Sequence, residues 1–211
     1  QLLEQAMVHR SYLNEHPSFP TGHNERLEFL GDAVLELVVT EHLYKHYENP
    51  EGELTNWRAS LVNSRQLSEV ANALNIEPHL HLSRGEQQDQ NSKARQSILA
   101  NACEAIIGAI YLDQCMKKAK SFIDQHILCY LSEILEKKLY LDPKSRFQEA
   151  TQERLSLTPT YRVLEESGPD HNKHFKVGVF VGEELYGTGI GSSKQEAQTN
   201  ASHDALAKTN W

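Results

Sequence analysis

Glu25, Glu28, Asp32 and Glu36 recur at spacings of three, four and four, which aligns them on one narrow stripe of a helix turning about 100° per residue. Carboxylates so aligned can face water as a solvated acidic surface or hold a cation. Their neighbours are apolar: Leu27, Leu30, Val34, Leu37 and Val38 cover the far side, while Phe29, Ala33, Leu35 and Val39 flank the stripe. A helix apolar nearly all round is expected to be buried, where like charges need compensating partners. The spacing alone leaves the solvated face and the buried carboxylate site both open.

A second run bears on the choice. Within residues 98–112, Asn101 and Glu104 carry the only strongly polar side chains apart from the Tyr111 hydroxyl. They lie three apart on one helix face, and Gly108, one turn further, leaves a smooth place for a backbone or ligand to approach. The alternative is a core helix whose two polar groups are satisfied by neighbours. The first acidic helix, however, can offer Glu104 only more negative charge. Oxygen ligands from two helices suit a hard divalent cation, magnesium or manganese. Such a centre can acidify water, orient it for attack on a phosphodiester and stabilise the leaving oxygen.

The elements that must position these residues follow from patterning. The chain has 211 residues, 39% hydrophobic and 24% charged, which argues against disorder, collagen-like repeats or a coiled coil as the main architecture. No run approaches the ~18 apolar residues of a membrane helix and no signal-peptide pattern opens the chain, so a soluble, cytoplasmic protein is expected. The sequence starts at Gln1 already inside an amphipathic pattern, which suggests that native residues are missing at its start. Cys103, Cys115 and Cys129 lack CxxC spacing and are expected to be reduced packing residues. His79 and His81, either side of Leu80, read as surface residues.

Apolar spacing is helical up to about residue 139 and changes to period two after Thr160. Two domains are therefore expected, 1–138 and 142–211, joined at 137–143, with Asp142 as N-cap and Pro143 at the first helical position. The first is all-α, with helices near 2–14, 24–47, 52–75, 95–112 and 117–138. Residues 83–95 form a polar, glutamine-rich loop. The second is α+β, in the order helix (143–155), strands (160–166, 174–181, 184–190) and helix (193–208).

The run from Asn24 to Leu35, Asn-Glu-Arg-Leu-Glu-Phe-Leu-Gly-Asp-Ala-Val-Leu, resembles the signature of the ribonuclease III family. Supporting it are His9-Arg10-Ser11-Tyr12, Glu51-Gly52-Glu53-Leu54 and residues 58–63 and 98–108. The tail from Asp142 resembles a double-stranded RNA-binding domain, so the likeness to a bacterial-type ribonuclease III spans almost the whole chain. It implies an all-α endonuclease domain followed by a small α-β-β-β-α RNA-binding domain. Glu28, Asp32 and Glu104 match the family's magnesium-binding carboxylates, Asp32 and Glu104 foremost as catalytic. Glu25 and Glu51 match second-rank acidic positions at the cleavage site. Asn101 stands where the family usually has a metal-binding aspartate; its amide oxygen can still coordinate but brings no charge.

The resemblance further implies magnesium-dependent endonucleolytic cleavage of double-stranded RNA to 5′-phosphate products, by a homodimer of the helical domain. Structured precursors such as ribosomal and messenger RNA would be processed. The alternative is a catalytically impaired RNA-binding or ribosome-associated protein, disabled by Asn101. In the tail, Gln148 and Glu149 would meet one minor groove of A-form RNA and His171 the next, with Lys194 on the phosphates between.

The charge balance complicates an RNA partner. The chain carries a formal net charge of −8. Up to Lys138 there are 13 basic and 19 acidic residues, and from Leu139 onward 8 and 10. The phosphate-facing run Ser193-Lys194-Gln195-Glu196-Ala197-Gln198 has one lysine where relatives generally have two or three. A shallow dependence of RNA affinity on salt is therefore expected.

Overall fold

A computed structural model of the chain describes residues 1–89, 92–169 and 173–211 and divides into two units, Gln1–Tyr140 and Leu141–Trp211. The first is helical, with α1 (Leu2–Ala6), α2 (Arg10–Glu15), α3 (Glu25–His46), α4 (Glu51–Val62), α5 (Ser64–Ala73), α6 (Arg84–Gln88), α7 (Lys93–Gln114), α8 (Met116–His126) and α9 (Leu131–Glu136). Leu35, Leu43, Leu61, Leu67, Val70, Ile107 and Ile123 are fully buried in its core.

Three expected helices are interrupted, two of them by an identifiable bond. The helix over 2–14 breaks because Val8 pairs with His81 in a parallel bridge: His9 N–H donates to the His81 carbonyl and His81 N–H to that of Met7. His81 is thereby half-buried rather than a plain surface residue. The helix over 52–75 breaks at Asn63, whose side chain serves both halves. Its oxygen accepts from Gln66 N–H while its amide donates to the carbonyls of Ala59 and Ser60; asparagine competes with backbone in this way. The stretch over 117–138 divides into α8, a 3-10 turn (Leu128–Tyr130) and α9.

The polar segment expected as a loop contains α6, capped by Ser83. Buried Arg95, on α7, donates to the Glu86 carbonyl at 2.9 Å and lies 3.3 Å from the Glu77 carboxylate. Of the cysteines only Cys103 is a packing residue; Cys115 and Cys129 are exposed, because they fall where α7 ends and in the turn after α8 rather than inside helices.

The centre of this unit is the pair α3 and α7. A Cβ added at Gly31 would fall on the backbone carbonyl of Glu104, and one added at Gly108 on that of Leu27. Helices usually pack with axes 8–10 Å apart, separated by side chains; these two meet backbone to backbone. Another flank of α3 is open. Against the expectation of a helix buried nearly all round, Phe29, Leu37 and Tyr44 are 80%, 59% and 80% exposed, since the elements of this unit cover only the Leu27, Val34, Leu35 and Val38 side.

The second unit consists of α10 (Pro143–Leu155), β1 (Thr160–Ser167), β2 (His174–Val181), β3 (Glu184–Gly191) and α11 (Lys194–Thr209). Asp142 caps α10 by accepting from Lys144 and Ser145 N–H, with Pro143 at its start. The strands form an antiparallel meander in the order β1-β2-β3. Gly187, Gly189 and Gly191 on β3 leave only enough room for Ala197, Ala201 and Ala205 of α11. Phe147 fills the remaining core beside Val179, Val181 and Leu206, stacked on Trp211.

Gly31→Ala is expected to lower the unfolding free energy by about 3 kcal/mol, at the upper end for overpacking. A urea titration followed by circular dichroism reads this directly, and an unchanged midpoint would refute the backbone contact.

Candidate active site

The α3–α7 contact decides which polar residues meet. Glu28 and Asp32 are one turn apart on α3, and Gly31 between them lies against the Glu104 carbonyl. Asn101 is one turn before Glu104 on α7. Asp32 is exposed, whereas Glu28, Asn101 and Glu104 are half-buried, so the group opens to solvent on the Asp32 side. Burial first, then the negative charges of Asp32 and Glu28, push the Glu104 carboxyl up to about 8. Glu28 is also raised, by burial and by Glu25 and Asp32, and is partly relieved by a hydrogen bond from the Asn101 amide.

The acidic stripe therefore divides into compensated and uncompensated members. Glu25 is exposed and sits 3.5 Å from Arg10 and 3.6 Å from His23. Glu36 pairs with Arg58 at 3.0 Å. Among the described residues, no salt bridge serves Glu28, Asp32 or Glu104. Arg10 and Arg58 belong to two of the motifs that carry the family resemblance, but pairing across elements is invisible in helical spacing, and no role was legible for them.

Glu51 does not join this group. It opens α4, beside a surface cavity of about 680 Å³ lined by Tyr44, Leu54 and Arg58 among others. That is the far half of α3, where the lining residues Thr40 and Tyr44 lie roughly 12 and 18 Å along the helix from Asp32 at 1.5 Å rise per residue.

In the second unit Gln148 and Glu149 lie exposed on α10. Lys194 is the first residue of α11, behind the N-cap Ser193 and 5.6 Å from the Phe175 ring centroid. His171 lies outside the described residues.

A cation fits the uncompensated group. Its donors are all hard carboxylate or amide oxygens, and positive charge would offset both the burial and the repulsion that raise Glu104. Among the described residues, no three His, Cys, Asp or Glu side chains already stand at metal-binding separation. The side chains are neighbours that repel, not a closed cage.

A helical unit with clustered carboxylates, joined to an α-β-β-β-α unit, defines a nuclease-like architecture with an RNA-binding appendage. Residues 1–131 match the family description "Ribonuclease-III-like" and residues 143–209 "Double-stranded RNA binding motif". Ribonuclease 3 of Desulforamulus reducens is 42% identical over 206 residues, covering 97% of this chain and 83% of that protein. Ribonuclease 3 of Natranaerobius thermophilus is 44% identical, covering 99% and 90%. Among solved structures, a nuclease domain of ribonuclease III from Campylobacter jejuni superposes with a TM-score of 0.53 at 42% identity. It covers 60% of this chain and 84% of that one, and is described as flexible in the region involved in dimer formation.

The chain belongs to the ribonuclease III family. It is an endoribonuclease acting on double-stranded RNA.

The raised Glu104 carboxyl has a sign that can be tested. A folded-state value near 8 against an ordinary 4.5 means that protonation favours the fold. This stabilisation is complete below about pH 4.5 and lost as pH rises through about 8. In divalent-free buffer, the melting temperature of the wild type should fall relative to Glu104→Gln between pH 5 and 8. Parallel curves for the two proteins would show that Glu104 titrates normally.

Proposed function

We propose that this endoribonuclease cuts duplex RNA at the group formed by Glu28, Asp32, Asn101 and Glu104, with magnesium, or manganese in its place, as cofactor. The observation that carries the reading is the convergence of three uncompensated carboxylates across the Gly31–Gly108 contact, in a chain whose other unit matches a duplex-RNA-binding motif. When bound, the divalent ion supplies the positive charge and Lewis acidity that phosphodiester hydrolysis requires. Asp32 and Glu104 would hold it from opposite helices. Glu28 completes the set, steered by the Asn101 amide, whose oxygen can add a neutral ligand. The chemistry such an ion would supply is hydrolysis, in which water would add its oxygen to phosphorus and give a proton to the departing 3′-oxygen, leaving a 5′-phosphate and a 3′-hydroxyl. Gln148, Glu149, His171 and Lys194 serve the duplex surface. Family membership supports structured cytoplasmic precursors, ribosomal and messenger RNA among them, as substrates. Among the described residues no helix is long and apolar enough to cross a membrane.

Replacing aspartate by Asn101 lowers the negative charge of the site by one, so a higher magnesium concentration is required for half-maximal rate. The wild type should cleave long duplex RNA with magnesium, Glu104→Gln should not, and Asn101→Asp should shift the magnesium requirement downward. An inactive wild type restored by Asn101→Asp would overturn the reading in favour of an RNA-binding protein.

We further propose a homodimer through α3. Contiguous exposed apolar surface marks interaction sites, and Phe29, Leu37 and Tyr44 run along one flank of this helix. A twofold contact with α3 antiparallel to its copy sets the Phe29 end of one subunit against the Tyr44 end of the other. It also carries the partner subunit's Glu51 toward Glu25 and Glu28, which gives that residue its place at the site. Phe29→Asp should convert a dimer to a folded monomer by light scattering, with cleavage of both strands lost. A monomeric wild type at micromolar concentration would exclude this arrangement.

A further inference from the structure

The start of α11 is poor in lysine, yet a second ammonium group reaches it from another element. Lys144, on the first turn of α10, places Nζ 2.9 Å from Gln198 Oε1 and 5.0 Å from the Tyr161 ring centroid. Gln198 is one turn beyond Lys194 on α11. The Tyr161 hydroxyl lies 2.7 Å from Ser202 Oγ, which itself donates to the Gln198 carbonyl. The ring under Lys144 is therefore anchored on the same helix that Lys144 reaches.

The nearby acids are hydrogen-bonded elsewhere: Asp142 feels the Lys144 charge through space, but the two form no salt bridge. The Asp142 carboxylate accepts from Lys144 N–H, Ser145 N–H and Ser145 Oγ. Glu196 accepts from the Ser192 N–H and hydroxyl. The Lys144 ammonium rests on neutral acceptors, an amide oxygen and a ring face, and is exposed to solvent. It can turn to an anion without breaking an ion pair, and its position is already set by partners from β1 and α11.

We propose that Lys144 is a phosphate-contacting residue of the duplex-RNA surface, supplying through space the positive charge that Gln198 does not supply in sequence. The surface at the start of α11 then presents two cations to the RNA backbone, Lys194 from α11 and Lys144 from α10, at the positive end of that helix's dipole. The proposal rests on the reading that this end of α11 faces phosphate, and it deepens that reading by naming a contributor from outside the helix.

A salt titration of binding tests it, because each phosphate contact releases counterions and adds about one to the slope of log affinity against log salt. The full chain is measured with duplex RNA in divalent-free buffer, so that no cleavage occurs. Lys144→Gln should reduce the slope by about one and weaken binding roughly tenfold near 0.1 M salt, converging with the wild type as salt approaches 1 M. The double variant Lys144→Gln with Gln198→Lys should recover the wild-type slope, since the charge returns to the same place on a different helix. Loss of affinity by Lys144→Gln with an unchanged slope, or a lowered melting temperature alone, would reduce Lys144 to a packing role and overturn the proposal. Failure of the double variant to restore the slope would also overturn it. Lys194→Gln serves as the reference: if it too leaves the slope unchanged while duplex RNA still binds, the phosphate-facing reading of α11 itself has failed.

Discussion

Everything at the candidate centre follows from two helices touching where neither has a side chain. With Gly31 against the Glu104 carbonyl and Gly108 against that of Leu27, α3 and α7 approach closely enough for carboxylates on either side of the contact to feel each other's charge. Had the helices been held apart by leucines, Glu28 and Asp32 would have faced Glu104 across a layer of hydrocarbon. The backbone contact therefore sets both the position of the charges and the strength of their repulsion. Burial and repulsion of these carboxylates oppose folding while they are charged, and the fold tolerates them beside the extensive core of Leu35, Leu43, Ile107 and their neighbours.

The arginines make the pattern selective. Arg10 serves Glu25 and Arg58 serves Glu36, so the two ends of the acidic stripe are neutralised by protein while its middle is not. Such exposed pairs contribute little to stability. Their effect is to confine unbalanced negative charge to one turn of α3 and the facing turn of α7.

Much of this was legible in the sequence where the determinants are local. In the second unit the caps and the period-two strands lie within a few residues of what they control, and Asp142, Pro143 and the alternation of Val177, Val179 and Val181 define their elements within a residue or so of the observed bounds. The carboxylate stripe and the Asn101–Glu104 face were equally visible, being helical periodicities. The breaks in the first unit were not. The Val8–His81 bridge joins segments more than seventy residues apart, and Asn63 ends one helix and begins another with a single side chain. The exposure of Phe29 and Tyr44 was hidden for a related reason: apolar spacing shows that a face avoids water but does not show whether the same chain covers it.

The contact of β3 with α11 carries its own consequence. Three glycines meet the backbone of α11 around Ala197, Ala201 and Ala205, so the distance between sheet and helix is set largely by main-chain atoms, and Asp204 and Asn200 bond the helix to the Thr188 N–H and the Ile190 carbonyl. The alanine face of α11 admits almost no variation, while side chains that bond neither Thr188 nor Ile190 are free of that constraint. A lineage can therefore add or remove outward-facing lysines such as those absent at 195 and 198 without altering the pose of the helix. RNA affinity in this unit is open to gradual evolutionary adjustment on a frame that is not.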